Sequence, residues 1–323
     1  MSLSLALAEE AWHLDLPAEW SSRFQSVFKH LLGTDIAAPL PTPEVRIKVR
    51  ATGTASEVNW ATSLHSRLPT SDSVAAVNRD TEVVHVSRMS LDSYDFQSRL
   101  GESVLLDPGM EASYLGTNLL LRHIAWRARQ RSLVPIHAAA IGEGDRYWLI
   151  PAAAGKGKST TTAAAIAGGL TVLGDDFVLL DPDANILHSI YQTIRLQPSS
   201  RRMIDHHFGD SFFAEIATRE DEKQILIPAP DLGAGGFRTS GRLEGILLLE
   251  KGHSTRIGSC VSPPRALQAF SSTLRLLPTL GFPAGYAFRA ISKITRSLET
   301  RRFEITSDLT EVARCLQNHV RFG

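Results

Sequence analysis

The chain has 323 residues, 43% of them apolar and 21% charged, which is enough to bury one large domain or a small domain beside a medium one. Lysine plus arginine and aspartate plus glutamate both number 34, so no global basic field exists to hold nucleic acid or an anionic membrane, and any anion site has to be local. The two cysteines, Cys260 and Cys315, lack metal-ligand spacing, no apolar run reaches the length of a membrane span, and Glu9 and Glu10 stand where a signal peptide stays apolar, so the sequence reads as cytoplasmic.

In chain order, "PAEWSSRFQSVFKHLL" (17–32) puts Trp20, Phe24, Val27, Phe28 and Leu31 on one helical face, with Pro17 before and Gly33 after. Three prolines in "TDIAAPLPTPE" break the chain, and Val45, Ile47 and Val49 alternate as in a half-buried strand. "VAAVNRDTEVVHVS" reads as a hairpin turning at "NRD", with His85 and Arg88 facing solvent, and "GESVLLDP" as a further strand. Residues 1–108 thus form a small α+β module that carries no chemical constellation. Residues 109–131 read as a connecting helix whose basic end, "RHIAWRARQR", is a solvated face.

The third segment, 132–323, opens with two apolar runs around the turn "GEGD", a hairpin whose second strand feeds into "PAAAGKGKSTTTAAAIAGG". A helix over 158–167, a break at Gly168-Gly169, the strands "LTVLG" and "FVLLD", the turn "PDAN" and the strand "ILHSI" follow. Hairpins on both sides of the loop and helix predict a mixed sheet instead of the parallel sheet of the common nucleotide-binding folds. Later elements are a helix around "SSRRMIDHHF", strands "KQILIP", "LEGILLLE" and "RRFEIT", one Pro-started helix over "PPRALQAFSSTLRLL", and a last helix from Asp308 with Glu311 completing a capping box.

The glycine-rich loop falls one glycine short of the phosphate-binding pattern, because Ala152 stands at the first glycine position. Gly155, Lys156, Gly157, Lys158, Ser159 and Thr160 supply what the chemistry needs: backbone N–H groups curling round an anion at a helix N-terminus, an ammonium for the outer phosphates, and a hydroxyl for Mg²⁺. Two lysines at the positive end of a helix make poor structural sense unless an anion neutralises them. Asp175 and Asp176 end the strand "LTVLG", where one carboxylate can serve a metal and the other an incoming hydroxyl. His137 lies on the strand before the loop strand and can reach the same cleft.

These residues, "IHAAAI", "AAAGKGKST" and "GDDFVLLD" in that order and spacing, resemble the HPr kinase/phosphorylase family over about residues 132–260. The resemblance implies an α/β fold: a mixed β-sheet P-loop kinase core shared with phosphoenolpyruvate carboxykinases, beside the smaller N-terminal module. It implies a kinase that uses ATP and Mg²⁺ to phosphorylate a serine hydroxyl of a peptide or protein. On this pattern Gly155 to Thr160 bind the nucleotide, with Lys158 on the outer phosphates. Ser159 and Asp176 serve the metal, Asp175 is the general base, and His137 is a positioning partner.

Two departures, Ala154 where the family has serine and no counterpart of its Glu-Ile-Arg-Gly stretch in "YQTIRLQPSS", argue against the reverse phosphorolysis more than against the kinase. Arg238, in the flexible "DLGAGGFRTSG", is a weak candidate for a substrate phosphate contact. In length and arrangement the chain is also similar to kinases that phosphorylate the C-terminal serine of lasso-peptide precursors. The sequence leaves the acceptor open, and with it a small-metabolite kinase, a non-catalytic nucleotide-binding regulator and a homo-oligomeric state.

Overall fold

The computed structural model describes residues 1–32, 45–65, 75–78, 82–87, 90–107, 109, 111, 115, 118–152, 155–209, 213–217, 224–228 and 236–322. The proline-rich break, the turn residues 79–80, Arg88, Ala154 and residues 231–235 of the glycine-rich stretch lie outside them. The chain divides into two units, Met1–Arg131 with Thr279–Phe282, and Ser132–Pro278 with Pro283–Gly323.

In the first unit, β1 (Ser2–Leu7) and β2 (Glu10–Asp15) form an antiparallel hairpin that buries Leu3, Leu5 and Leu7. Its turn has Ala8 and Glu9 at φ 48° and 64°, conformations that glycine or asparagine usually supply, so no turn residue marks it in the sequence. The predicted helix is α1 (Ser21–Phe28), extended at both ends by 3₁₀ turns, and its expected apolar face is buried. After it come β3 (Val45–Arg50), α2 (Ala55–His65), β4 (Ala75–Asn78), β5 (Glu82–Val86), β6 (Ser90–Asp95), β7 (Leu100–Leu105) and α3 (Leu121–Gln130). The sheet order is β1-β2-β3-β7-β6-β5-β4, with β3 parallel to both neighbours and the other pairs antiparallel.

Two expectations fail in this unit. The basic end of α3 is solvated only in part: Arg129 is exposed, but Arg127 is buried against Glu10, with Nε 2.9 Å from Oε2, and Arg122 pairs with Asp92. His85 does not face solvent either. Its strand face lies under α3, with the ring centroid 6.4 Å from that of Trp126, and its Nε2 is 3.0 Å from the Thr279 carbonyl oxygen. The short segment Thr279–Phe282 thereby completes this core, with Leu280 and Phe282 buried.

The second unit begins with β8 (Val134–Ile136), β9 (Ala138–Glu143) and β10 (Arg146–Pro151), then α4 (Lys158–Ala167), β11 (Thr171–Gly174), β12 (Val178–Asp181), β13 (Ile186–Ser189), β14 (Ile194–Leu196), α5 (Pro198–Phe208), β15 (Phe213–Ala217), β16 (Gln224–Pro228) and β17 (Gly236–Phe237). It ends with β18 (Ser240–Lys251), β19 (Arg256–Cys260), α6 (Pro263–Ala269), α7 (Ser271–Leu276), α8 (Ala284–Ser297), β20 (Glu299–Ile305) and α9 (Leu309–Phe322). The main sheet runs β17-β11-β9-β10-β18-β13-β12-β8, with β20 and β19 attached beside β18. It is mixed: β9 and β10 form the expected hairpin, β10 runs parallel to β18, and β18 runs parallel to β20. Strands β14, β16 and β15 make a separate three-stranded sheet.

The alanine run explains how α4 is seated. Ala163, Ala164 and Ala165 are fully buried in a core with Ile141, Ile150, Leu309, Val312 and Leu316, and short side chains let the helix approach both the sheet and α9. The single helix expected over "PPRALQAFSSTLRLL" is divided at Phe270 into α6 and α7. Half of the expected capping box forms: Asp308 Oδ1 accepts the Glu311 N–H at 3.0 Å, but the Asp308 N–H goes to Thr306 Oγ1 at 3.2 Å and not to Glu311. No helix among the described residues is long and apolar enough to cross a membrane.

Candidate active site

β10, β18 and β20 run parallel, and their C-terminal ends meet the N-terminus of α4 around a cavity of about 520 Å³. The loop from β10 enters α4 through Gly155 and Gly157 at φ 78° and 93°, the left-handed region that glycine reaches without strain. A Cβ at Gly157 would lie 3.0 Å from Ile305 Cδ1, so the end of that side chain would have to give by a few tenths of an ångström. Gly155, Lys156, Gly157, Lys158, Ser159 and Thr160 all line the cavity, while Ala152 is buried beneath them.

Asp175 and Asp176 occupy the turn between β11 and β12, and they differ in surroundings. Asp175 is buried and does not line the cavity. Its Oδ1 accepts from Thr162 Oγ1 at 3.2 Å, its Oδ2 from the Arg195 backbone N–H at 3.0 Å, and Ser159 donates a further hydrogen bond. Burial, followed by the Asp176 charge, raises its pKa against the opposing pull of Lys158 and these donors.

Asp176 is the one carboxylate among the lining residues. Its Oδ1 is 2.8 Å from His137 Nε2 and 3.4 Å from Lys158 Nζ, and its Oδ2 is 4.0 Å from Arg195 Nη1. Burial alone would raise its pKa, but the His137 hydrogen bond and the Lys158 and Arg195 charges outweigh it and hold the carboxyl well below the usual range. His137 reaches it because residue 137 is the junction at which the chain passes from β8, paired with β12, to β9, paired with β10.

The structure therefore gathers Lys158, Ser159, Thr160, Asp176 and His137 at one cavity and places Asp175 just behind them. Arg238 is not among the lining residues; it is exposed, with its backbone N–H on the Val172 carbonyl oxygen. Arg195 was not singled out from the sequence, although it lines the cavity and touches both aspartates. Its signal was the alternation in "TIRL", where Ile194 and Leu196 go to the core and Arg195 turns the other way. Met203, Ile305, Leu309 and Val312 add apolar side chains to the lining. Among the described residues no cluster of three or more His, Cys, Asp or Glu side chains could hold a metal by itself.

No family model and no curated protein sequence matches the chain. Among solved structures, the HPr(Ser) kinase/phosphatase from Coxiella burnetii aligns at 16% identity over 57% of this chain and 95% of that chain, with a TM-score of 0.28. A superposition at that level leaves fold and function to this chain's own residues.

Proposed function

We propose that the chain is an ATP-dependent phosphotransferase with a P-loop core that transfers the γ-phosphoryl group to a serine hydroxyl of a peptide or protein. The observation that carries this reading is the convergence of Lys158, Asp176, His137 and Arg195 on one cavity at the N-terminus of α4. The backbone N–H groups of residues 155–160 and the positive end of α4 suit a phosphate chain, and Lys156 and Lys158 supply cations for it. The apolar side chains of Met203, Ile305, Leu309 and Val312 offer a surface for a nucleobase.

The residues present suit Mg²⁺. The Ser159 hydroxyl gives its hydrogen to Asp175, which leaves its lone pairs for a cation, and Asp176 adds a carboxylate that lines the cavity. Ser159 and Asp176 would hold the ion. Bound there, Mg²⁺ neutralises phosphate charge.

Asp175, to which the resemblance gives the base role, does not line the cavity, and Asp176, paired with His137 and Lys158, is the carboxylate that serves the ion. In the transfer, the serine oxygen forms a bond to the γ-phosphorus as the bond to the β-bridging oxygen breaks. The hydroxyl proton leaves on an oxygen of the transferred phosphoryl group, and ADP carries the electron pair away. Lys158 and Arg195 stabilise the charge that spreads over the transferring oxygens. His137 keeps the Asp176 carboxylate oriented, and Asp175 fixes Ser159 and the Arg195 backbone.

Incubating the full chain with Mg-ATP and a panel of serine peptides, some ending in a C-terminal serine, is expected to yield phosphopeptide that disappears in Lys158→Ala. ATP binding without transfer to any peptide or protein acceptor would replace this reading with that of a nucleotide sensor.

A further inference from the structure

Both ring nitrogens of His137 and its backbone N–H have partners. Its Nε2 meets Asp176 Oδ1 at 2.8 Å, its Nδ1 meets Ser272 Oγ at 3.3 Å, and its backbone N–H donates to Thr273 Oγ1 at 3.1 Å. The Phe177 ring lies against the imidazole, with centroids 5.2 Å apart. Ser272 and Thr273 both belong to α7, far from His137 in sequence, and Thr273 is fully buried. A buried hydroxyl is kept where its hydrogen bonds are made, since leaving one unmade forfeits its solvation with nothing in return.

We propose that Ser272 is a positioning residue for His137, with Thr273 as its backbone anchor, so that α7 aims the imidazole at Asp176. This rests on the phosphotransferase reading for its effect on turnover, but the geometric claim stands apart from it. An ionised carboxylate only accepts, so Nε2 must carry the hydrogen toward Asp176, and the neutral ring is left with a lone pair on Nδ1. The Ser272 hydroxyl donates to that lone pair, and it can equally accept if Nδ1 carries a hydrogen. Ser272 thus fixes the rotation of the ring in either state, and no other described side chain is found on Nδ1. Asp176 in turn keeps the orientation in which one oxygen faces His137 and Lys158 and the other faces Arg195.

The test uses the full chain as Ser272→Ala and Ser272→Thr, with three measurements: ATP affinity by calorimetry with Mg²⁺, turnover of Mg-ATP with the serine peptides above, and the His137 ring resonances in ¹⁵N-histidine NMR, identified by their loss in His137→Gln. The expected result for Ser272→Ala is ATP affinity within about twofold of the parent, turnover about tenfold lower, and displaced His137 resonances. Ser272→Thr, which keeps the hydroxyl, is expected to restore both turnover and resonances. Undisplaced resonances in Ser272→Ala would overturn the proposal, and so would an equal loss of ATP affinity and turnover, which would mark general damage to the cavity. If the parent chain itself neither binds nor turns over ATP, the phosphotransferase reading fails, and the resonances alone decide the role of Ser272.

Discussion

Asp175 and Asp176 are neighbours in the chain, yet only Asp176 lines the cavity, while Asp175 lies buried with hydrogen bonds from Thr162, Ser159 and the backbone of Arg195. The same turn therefore supplies a group that meets ligand and a group that holds the walls in place. Their electrostatics differ accordingly, with Asp175 pushed up by burial and Asp176 held down by His137, Lys158 and Arg195 despite its own desolvation.

The two asparagine substitutions are expected to separate these roles. Asp176→Asn removes the carboxylate in the cavity and should abolish phosphopeptide formation, with a smaller loss of stability than Asp175→Asn because the amide oxygen still accepts from His137 and Lys158. Asp175→Asn turns an acceptor of several hydrogen bonds into a group that presents an N–H₂ to one of its donors, and should lower stability by about 1–3 kcal/mol. Denaturant melts beside turnover assays check both, and equal loss of stability in the two variants would contradict the assignment.

The loop glycines should also differ. Gly155→Ala meets open space, so its cost is conformational alone, about 1–2 kcal/mol for a left-handed residue. Gly157→Ala carries the same penalty and adds a tight contact with Cδ1 of Ile305, which also lines the cavity. ATP affinity, measured by calorimetry, is expected to fall further in Gly157→Ala than in Gly155→Ala.

The first unit should lose stability in mild acid. Burial, with help from the Arg122 charge, lowers the His85 pKa from 6.5 to about 3, and burial lowers that of His123 as well, while the Asp92 carboxylate opposes both shifts. Unfolded, each histidine takes up a proton below about pH 6.5; folded, His85 does so only near 3. The stability is complete above pH 6.5 and is lost as the pH falls, by up to about 1.4 kcal/mol per pH unit for each such histidine. Denaturation followed by tryptophan fluorescence at pH 7.5 and pH 5.0 reads the difference, with Trp12, Trp20 and Trp126 buried in this unit. A midpoint independent of pH would show that these rings are not neutral in the fold.

What could be read in advance followed from local chemistry. The helix over Lys158–Ala167, the hairpin into the loop and the Gly-Asp-Asp turn are marked by glycine, by periodicity and by paired apolar runs, and these signals act within a few residues. The β1–β2 hairpin was missed because Ala8 and Glu9 hold a turn that advertises no turn residue. His85 was misplaced because a strand histidine shows its face only when the helix above it is known, and α3 arrives from a distant part of the chain. Likewise, which of two adjacent aspartates reaches the cavity depends on Arg195 and Thr162, and Ser272 becomes a partner of His137 only through tertiary folding.

The short segment Thr279–Phe282 has a consequence for synthesis. It lies far beyond Arg131 in the sequence, yet Phe282 and Leu280 are part of the first unit's interior, and the Thr279 carbonyl is the partner of His85. A ribosome therefore delivers residues 1–131 long before it delivers the piece that closes their core, so the earliest-made unit cannot be the first to finish. A fragment cut at Arg131 would emerge with an open seam beside Trp126. The boundary that looks natural in the sequence is one at which the nascent protein is still incomplete.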